Sequence, residues 1–348
     1  MQQIRLDGAR VAIVMMSAIG DAVHVLPVVN ALKRFAPTLH LTWILQPGPA
    51  SLVGGHPAVD EVLRVDPARG WRAFAEVGRE LRRRRFDLVL DLQVAFKAGL
   101  VTALSRAPVK LGFDRARARD LNWLFTTRRI PPRPPGHVQD QYFEFLDAIG
   151  VPHGTAEWGL GPWGEEERAR QREFVASVGR PYAAINVATS NPDRDWLPER
   201  WAAVVDTLHD RYGLASVLVG AATEREREIE RAIRSAAKRD TVSALGSGLR
   251  GLVGILDAAE LVLALDSAPL HVAVALDRPV VSLMANADPR RTGPYRRFHD
   301  LIVDAYHDPG EDAPVSMRRR WGRMPRITVE DVLDRVAVWD RRYRGGGA

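Results

Sequence analysis

Residues 261–284 read LVLALDSAPLHVAVALDRPVVSLM: an apolar run, an Asp266-Ser267 turn, small and apolar residues from Ala268 to Ala275, and a second apolar run. Strands without polar alternation are buried on both faces, which is the condition of a parallel sheet covered by helices. The stretch therefore predicts a strand at Leu261–Asp266, a short helix at Ala268–Ala275 and a strand at Pro279–Met284. The amino end of such a helix carries unpaired N–H groups and partial positive charge, which suits a diphosphate. Ser267 adds a hydroxyl. Asp266 would repel phosphate, so sugar hydroxyls are its fitting partners. An ordinary βαβ unit with a capped helix explains any one such segment, but less well three such turns at strand ends in both halves of the chain.

The same alternation extends outward in both directions. Before it lie strands at Tyr182–Val187 and Ala215–Gly220, with helices at Pro198–Tyr212, Glu224–Lys238 and Leu249–Ala258. The first half has strands at Val11–Met16, Leu41–Gln46, Glu61–Val65 and Phe86–Leu92, and helices at Val23–Phe35 and Gly70–Arg85. Residues 128–136, with four prolines and three arginines, read as an extended exposed loop, followed by a helix at Val138–Ile149. The Gly/Pro/Trp-rich stretch Val151–Gly164 marks a boundary, and a helix at Glu165–Val178 leads into the second half. The organisation expected is a domain over residues 1–160, a second over 161–327, and a terminal helix and tail over 328–348. Gly345–Ala348 reads as disordered. Two α/β halves of similar size make a cleft between them the natural ligand site.

Bulk properties fit this picture. A chain of 348 residues, 46% apolar, is too long for one ordinary core and suits two domains. It has no cysteine, which removes disulfides, thiolate nucleophiles and cysteine metal sites and fits a cytoplasmic protein. No apolar run reaches the ~18 residues of a membrane span. Met1–Arg10 is too polar and short for a secretory signal. A net charge of +6, mostly from arginine, points to an anionic partner, either nucleic acid or an acidic glycolipid at a membrane face.

Two more strand ends carry candidate chemistry. Val11–His24 runs from a strand through a small-residue turn to Asp21, which opens a helix. Asp21 is either a helix cap or a carboxylate placed as general base toward an acceptor hydroxyl. Ile185–Trp201 repeats the pattern, and Thr189, Ser190 and Arg194 would face the same cleft and hold a diphosphate. Asp193-Arg194-Asp195 spells a metal-binding type of triplet, but a lone triplet of this kind is a weak signal and a solvated loop is the plainer reading. No motif requires a divalent metal or a tightly held cofactor. Gly246-Ser-Gly248-Leu-Arg-Gly251 imitates a dinucleotide fingerprint, but the run before it is short and Gly251 falls in a helical pattern. His24 and His271 each lie one turn into a helix, where packing or hydrogen bonding is the ordinary role.

Four blocks in register resemble glycosyltransferase family 9, the ADP-heptose:lipopolysaccharide heptosyltransferases. Ser17-Ala-Ile-Gly-Asp-Ala-Val-His-Val-Leu-Pro27 resembles the family's S-x-x-G-D-x-x-x-x-x-P signature. Asp91-Leu-Gln-Val-Ala-Phe-Lys-Ala98 is similar to its D-L-Q-x-x-x-K-S stretch. The blocks beginning at Asp266 and Asp288 resemble D-[ST]-G-x-x-H-x-A and D-P-x-R-T-G-P-Y. The resemblance implies a GT-B fold, two Rossmann-like domains with parallel sheets facing across a cleft. It implies an acceptor-binding N-terminal domain, a nucleotide-sugar-binding C-terminal domain and an inverting single displacement. Asp21 matches the catalytic aspartate. Thr189, Ser190, Arg194, Glu224, Asp266, Ser267, Ala268 and His271 match donor-site positions, and Lys97 matches a basic position on the acceptor side. The implied donor is a nucleotide sugar, ADP-heptose, and the implied acceptor a lipopolysaccharide-core-like anionic glycolipid at the inner membrane face. The basic segments Arg115–Arg119 and Arg128–Arg133 are expected to contact acidic sugars or anionic lipid. Arg194 stands where the family has lysine, Ala268 where it has glycine, and Met284-Ala-Asn-Ala287 where it has Phe-Gly-Pro-Thr. A family member with another nucleotide sugar and glycan acceptor is one alternative, and a non-catalytic nucleotide-sugar-binding protein is another. Nothing resembles a recognition helix or an aromatic stacking platform, so nucleic acid is not expected.

Overall fold

The computed structural model describes residues 4–345. Of the tail read as disordered, Gly345 is a turn residue with φ +77°, and the last three residues lie outside the described range, as do the first three of the polar amino end. The chain divides into two compact units. One holds the residues up to Pro134 together with Val138–Gly159; the other holds Pro135–His137 and everything from Leu160 onward.

The first unit contains, in chain order, β1 (Arg10–Val14), α1 (Ile19–Phe35), β2 (His40–Leu45), α2 (Pro47–Val53), β3 (Glu61–Arg64) and α3 (Trp71–Arg83). Then follow β4 (Leu88–Asp91), α4 (Phe96–Leu104), β5 (Val109–Gly112), β6 (Arg128–Arg129) and α5 (Val138–Ile149). Its six strands run parallel in the order β3-β2-β1-β4-β5-β6. Ala12 and Val14 of β1 and Val89 of β4 bury one sheet face against Ala73, Val77 and Leu81 of α3 and Ala98 and Val101 of α4. Strands covered this way need no polar face, and β1 and β4 have almost none.

The second unit contains α6 (Gly164–Val178), β7 (Tyr182–Asn186), α7 (Pro198–Tyr212), β8 (Ala215–Val219), α8 (Glu224–Ala236), β9 (Thr241–Ser243) and α9 (Gly248–Asp257). After these come β10 (Leu261–Leu265), α10 (Ala268–Ala275), β11 (Val280–Met284), α11 (Pro289–Thr292), β12 (Ile302–Asp304) and α12 (Val329–Arg342). The parallel strand order is β12-β11-β10-β7-β8-β9. Numbered within its own unit and read from the opposite edge, this is the same 3-2-1-4-5-6 order, the Rossmann arrangement. The terminal helix α12 packs on α7 and β11, and Trp339 donates to the Glu260 carbonyl at 3.1 Å.

Several elements differ from the sequence reading. The stretch read as a loop begins with β6, because Arg128 and Arg129 pair with Leu111 and Gly112 of β5. Helix α1 starts four residues earlier than the periodicity indicates, at Ile19 rather than Val23. The glycine-rich 246–251 segment follows the three-residue edge strand β9, and Gly248 opens α9. It is therefore not a first βα turn after a buried central strand.

Candidate active site

In an open parallel sheet, ligands bind beyond the carboxyl ends of the strands where the strand order reverses. In the first unit that point lies between β1 and β4. These strands are neighbours with Val14 opposite Asp91, which brings Met16 and Ser17 beside Gln93. Gln93 braces the turn: its Oε1 accepts from the Met16 N–H at 3.1 Å, and its Nε2 donates to the Ser17 carbonyl at 2.7 Å and hydroxyl at 3.2 Å. The Ser17–Ala18 peptide is cis. Asp21 sits at the third position of α1. Its Oδ2 accepts from the Ala18 N–H at 3.0 Å and its Oδ1 accepts from the Tyr142 hydroxyl at 3.2 Å. This is the carboxylate half of a capping box, and Ala18 has no side-chain oxygen to supply the other half. The cap coexists with a carboxylate that is only half-buried at the sheet's carboxyl end. His24 is buried, with Nδ1 at 3.3 Å from Gln139 Oε1, an interior role. Lys97, the second residue of α4, is exposed and makes no ion pair among the described residues.

Asp91 is the anchor beneath this turn. It is fully buried and accepts from Thr102 Oγ1 at 2.9 Å, Asn122 Nδ2 at 3.1 Å and the Gln93 N–H at 3.4 Å. Burial pushes its pKa up from 3.8 to about 7, against the lowering pull of those donors. The native state then holds a proton where the unfolded chain does not, so stability falls as pH rises between the two values. The slope contributed is up to about 1.4 kcal/mol per pH unit. Denaturant midpoints of the wild type should fall from pH 5 to 8 more steeply than those of Asp91→Asn. Parallel profiles would show that Asp91 is ionised throughout.

In the second unit the reversal lies between β7 and β10, where Ile185 pairs with Leu263. Arg194, in a one-turn 3-10 helix after β7, places Nη1 at 3.4 Å from the Asp266 carbonyl and 3.7 Å from its Oδ2. Its Nε is buried without a hydrogen-bond partner among the described residues. Burial lowers the guanidinium pKa, Asp266 opposes the shift and Arg319 adds to it. Ser267 donates to Asn186 Oδ1 at 2.6 Å, so its hydroxyl does not cap α10. Ala268 opens that helix. His271, one turn in, has its pKa lowered to about 3 by burial and by His137, and is neutral at pH 7.

The loop carrying Thr189, Ser190 and Arg194 is clamped from α8. Arg225 pairs with Asp195 and donates to the Thr189 carbonyl, while Asp195 Oδ1 accepts from the Thr189 N–H at 2.7 Å. The Thr189 hydroxyl donates to the Asn191 carbonyl at 2.8 Å, and Ser190 is exposed. Asp195 is thus committed inside the protein, so the Asp193-Arg194-Asp195 triplet does not present two free carboxylates. No group of three acidic or imidazole side chains is spaced for a metal ion among the described residues. Glu224 points away into solvent and pairs with Arg231 at 3.2 Å. The acid engaged at this turn is Glu226, which accepts from the Ala221 N–H at 3.0 Å and from Thr223 N–H and Oγ1 at 2.8 and 2.7 Å.

The structure thus brings Arg194, Asp266, Ser267 and Thr189 to one switch point of the second unit, and Asp21 to that of the first. The Arg115–Arg119 expectation needs correction at its centre. Arg117 is buried in ion pairs with Asp114 and Glu144 and is not available to a ligand. Gln93, Tyr142 and Arg225 have no role in the sequence reading, and Asp195 has one only as part of the metal-type triplet.

A family model described as glycosyltransferase family 9 (heptosyltransferase) matches residues 74–312, more than half of the chain. The chain belongs to glycosyltransferase family 9. Among the relatives of this family 9 chain is the lipopolysaccharide core heptosyltransferase OpsX of Haemophilus influenzae. It is 28% identical over 334 residues, covering 93% of this chain and 95% of the relative. The crystal structure of a glycosyl transferase family 9 protein from Veillonella parvula superposes with a TM-score of 0.83 at 23% identity, over 97% and 98% of the two chains. The E. coli heptosyltransferase WaaC with ADP-2-deoxy-2-fluoro heptose does so with a TM-score of 0.74 at 24% identity, over 94% and 99%. At these identities the two structures speak to the fold. As a family 9 glycosyltransferase, the chain has its candidate residues where an α/β sheet binds ligands. No described helix is long and apolar enough to cross a membrane.

Proposed function

We propose that this chain is an inverting heptosyltransferase that moves a heptose from ADP-heptose to a lipopolysaccharide inner-core acceptor. The names of the relatives, a lipopolysaccharide core heptosyltransferase and an enzyme bound to an ADP-heptose analogue, support the donor and acceptor classes. In this reading the two units form a GT-B enzyme. Residues 1–160 hold the acceptor and 161–327 the nucleotide sugar, and the protein works at the cytoplasmic face of the inner membrane.

The acceptor hydroxyl oxygen forms a bond to the anomeric carbon as the bond from that carbon to the diphosphate oxygen breaks. The hydroxyl proton passes to Asp21 and ADP departs. A single displacement inverts the anomeric centre. Charge builds on the diphosphate as it leaves, and fixed cations and dipoles stabilise it without reorganisation. Arg194 and the amino end of α10 supply them. His271, being neutral, adds no charge there, and Asp266 suits the sugar hydroxyls. The observation that carries this reading is Arg194: a guanidinium half withdrawn from water, with an unpartnered Nε, at the switch point of the sheet.

Isothermal titration with ADP, GDP and UDP tests it. ADP should bind most tightly, and Arg194→Ala should weaken it by about 10- to 100-fold, the worth of charge-assisted hydrogen bonds to phosphate. A preference for GDP or UDP would move the donor, as the Ala268 and Met284–Ala287 departures allow. Binding of no nucleotide, or an Arg194→Ala variant that binds as well as the wild type, would sink the donor-site assignment.

A further inference from the structure

The turn after β5 exposes apolar side chains on a rigid mount. Leu121 is 57% exposed, Leu124 55% and Phe96, on the adjoining end of α4, 46%. Asp120 and Leu121 both adopt left-handed backbone, with φ of +50° and +60°, an uncommon conformation for residues other than glycine or asparagine. They lead into the 3-10 turn Asn122–Phe125. The Leu121 carbonyl accepts from the Leu124 N–H at 3.0 Å, so one turn holds both leucines. The mount is well anchored. Asn122 is fully buried and donates to Asp91 Oδ2 and to the Ala95 carbonyl, each at 3.1 Å. Phe125 meets Phe96 edge-on at 5.4 Å and lies so close to Gly99 that an added Cβ would sit 2.3 Å from its ring. The leucines project outward from a fixed platform.

The surrounding charge is predominantly positive. The guanidiniums of Arg115 and Arg129 lie 4.5 and 5.3 Å from the Trp123 ring centroid, and both arginines and Arg119 are exposed. Asp120 is the one exposed acid in the segment 115–129. We propose that the Phe96–Leu121–Leu124 face, rimmed by Arg115, Arg119 and Arg129, docks this protein on an anionic phospholipid bilayer. Apolar side chains entering the headgroup boundary and arginines meeting lipid phosphates are the two parts of interfacial anchoring. A second copy fits less well, since a two-fold contact would set the same arginine rim against itself. A stacked nucleic-acid base fits less well too, because arginines already occupy the Trp123 ring. The proposal deepens the glycolipid reading above, because the platform is bolted to Asp91 and so to the turn that carries Asp21.

Vesicle co-sedimentation of the full chain tests it, with phosphatidylcholine alone and with about 30 mol% phosphatidylglycerol, a composition chosen to give anionic surface charge. The vesicles contain no sugar acceptor, so binding is read apart from transfer. Vesicle binding beside no transfer in a separate assay with ADP-heptose and a lipopolysaccharide-derived acceptor would sink the enzymatic reading and leave this one standing, and transfer there without vesicle binding would do the reverse. The wild type should favour the anionic vesicles, less so as salt rises, and Leu121→Ser/Leu124→Ser should lower partitioning by about tenfold or more with its thermal unfolding midpoint kept. Equal binding by the double variant, equal binding to neutral vesicles, or no binding by the wild type overturns the proposal. So does a wild-type dimer in light scattering that the double variant loses.

Discussion

Replacing Asp21 by asparagine should lower turnover by about 10²- to 10⁴-fold, the usual worth of a general base, while ADP affinity stays as it was. The substitution separates the two roles of this carboxylate. Asparagine can turn its Oδ1 to the Ala18 N–H and donate from Nδ2 to the Tyr142 hydroxyl oxygen, so the start of α1 and its link to α5 remain. What disappears is the capacity to take a proton. If Asp21 were only a cap, Asp21→Asn would turn over like the wild type, and only Asp21→Ala would show an effect, about 1 kcal/mol of stability. Measuring turnover with ADP-heptose and a lipopolysaccharide-derived acceptor, beside unfolding midpoints for both variants, distinguishes the two. A near-normal rate in Asp21→Asn would remove Asp21 from the chemistry.

The candidate site was legible as a set of turns and illegible as a set of contacts. A run of apolar residues ending in a small or hydroxylated turn marks the carboxyl end of a buried strand, and that located Asp21, Thr189 and Asp266. Which turns meet depends on strand order, and nothing local encodes that Arg194 and Asp266, 72 residues apart, become neighbours because β7 lies beside β10. Gln93 lay in a quoted motif, yet its work is on Met16 and Ser17, in the turn that follows β1. Glu224 and Glu226 show a finer failure. Thr223-Glu-Arg-Glu226 is a capping-box pattern readable from sequence, and it commits Glu226 to the turn while Glu224 points to solvent.

The fold followed the same division. The central strands were read to within a residue or two of their observed bounds, and the helices α5, α7 and α10 at them. The missed elements are short or lack a contrast between faces. β5 and β12 have four and three residues, too few to show a period, and β6 is a pair of arginines at a sheet edge. Helix α4, Phe-Lys-Ala-Gly-Leu-Val-Thr-Ala-Leu, has almost no polar stripe because it lies between the sheet and the Asn122–Phe125 turn.

Arg117 carries the other large effect, and it comes from inside a basic segment expected to contact acidic sugars or anionic lipid. Its Nη1 and Nη2 hold Glu144 in a bidentate pair at 3.0 and 2.8 Å, its Nε pairs with Asp114, and Nη2 also donates to the Pro131 carbonyl at 2.9 Å. All three charged side chains are less than 10% exposed. Burial alone would lower the Arg117 pKa, and the two carboxylates more than reverse it, so the guanidinium stays charged. Removing it leaves two carboxylates buried without their cation, a situation that costs about 3–5 kcal/mol. For a unit of this size, Arg117→Ala should then lower the unfolding midpoint by on the order of 10 °C. The companion experiment is Arg117→Ala/Glu144→Ala, which deletes one of the stranded charges. It should be less destabilised than the two single changes added together, because the residues share one network. An Arg117→Ala loss below about 1 kcal/mol would mean that water reaches the cluster and that the arginine behaves as a surface residue.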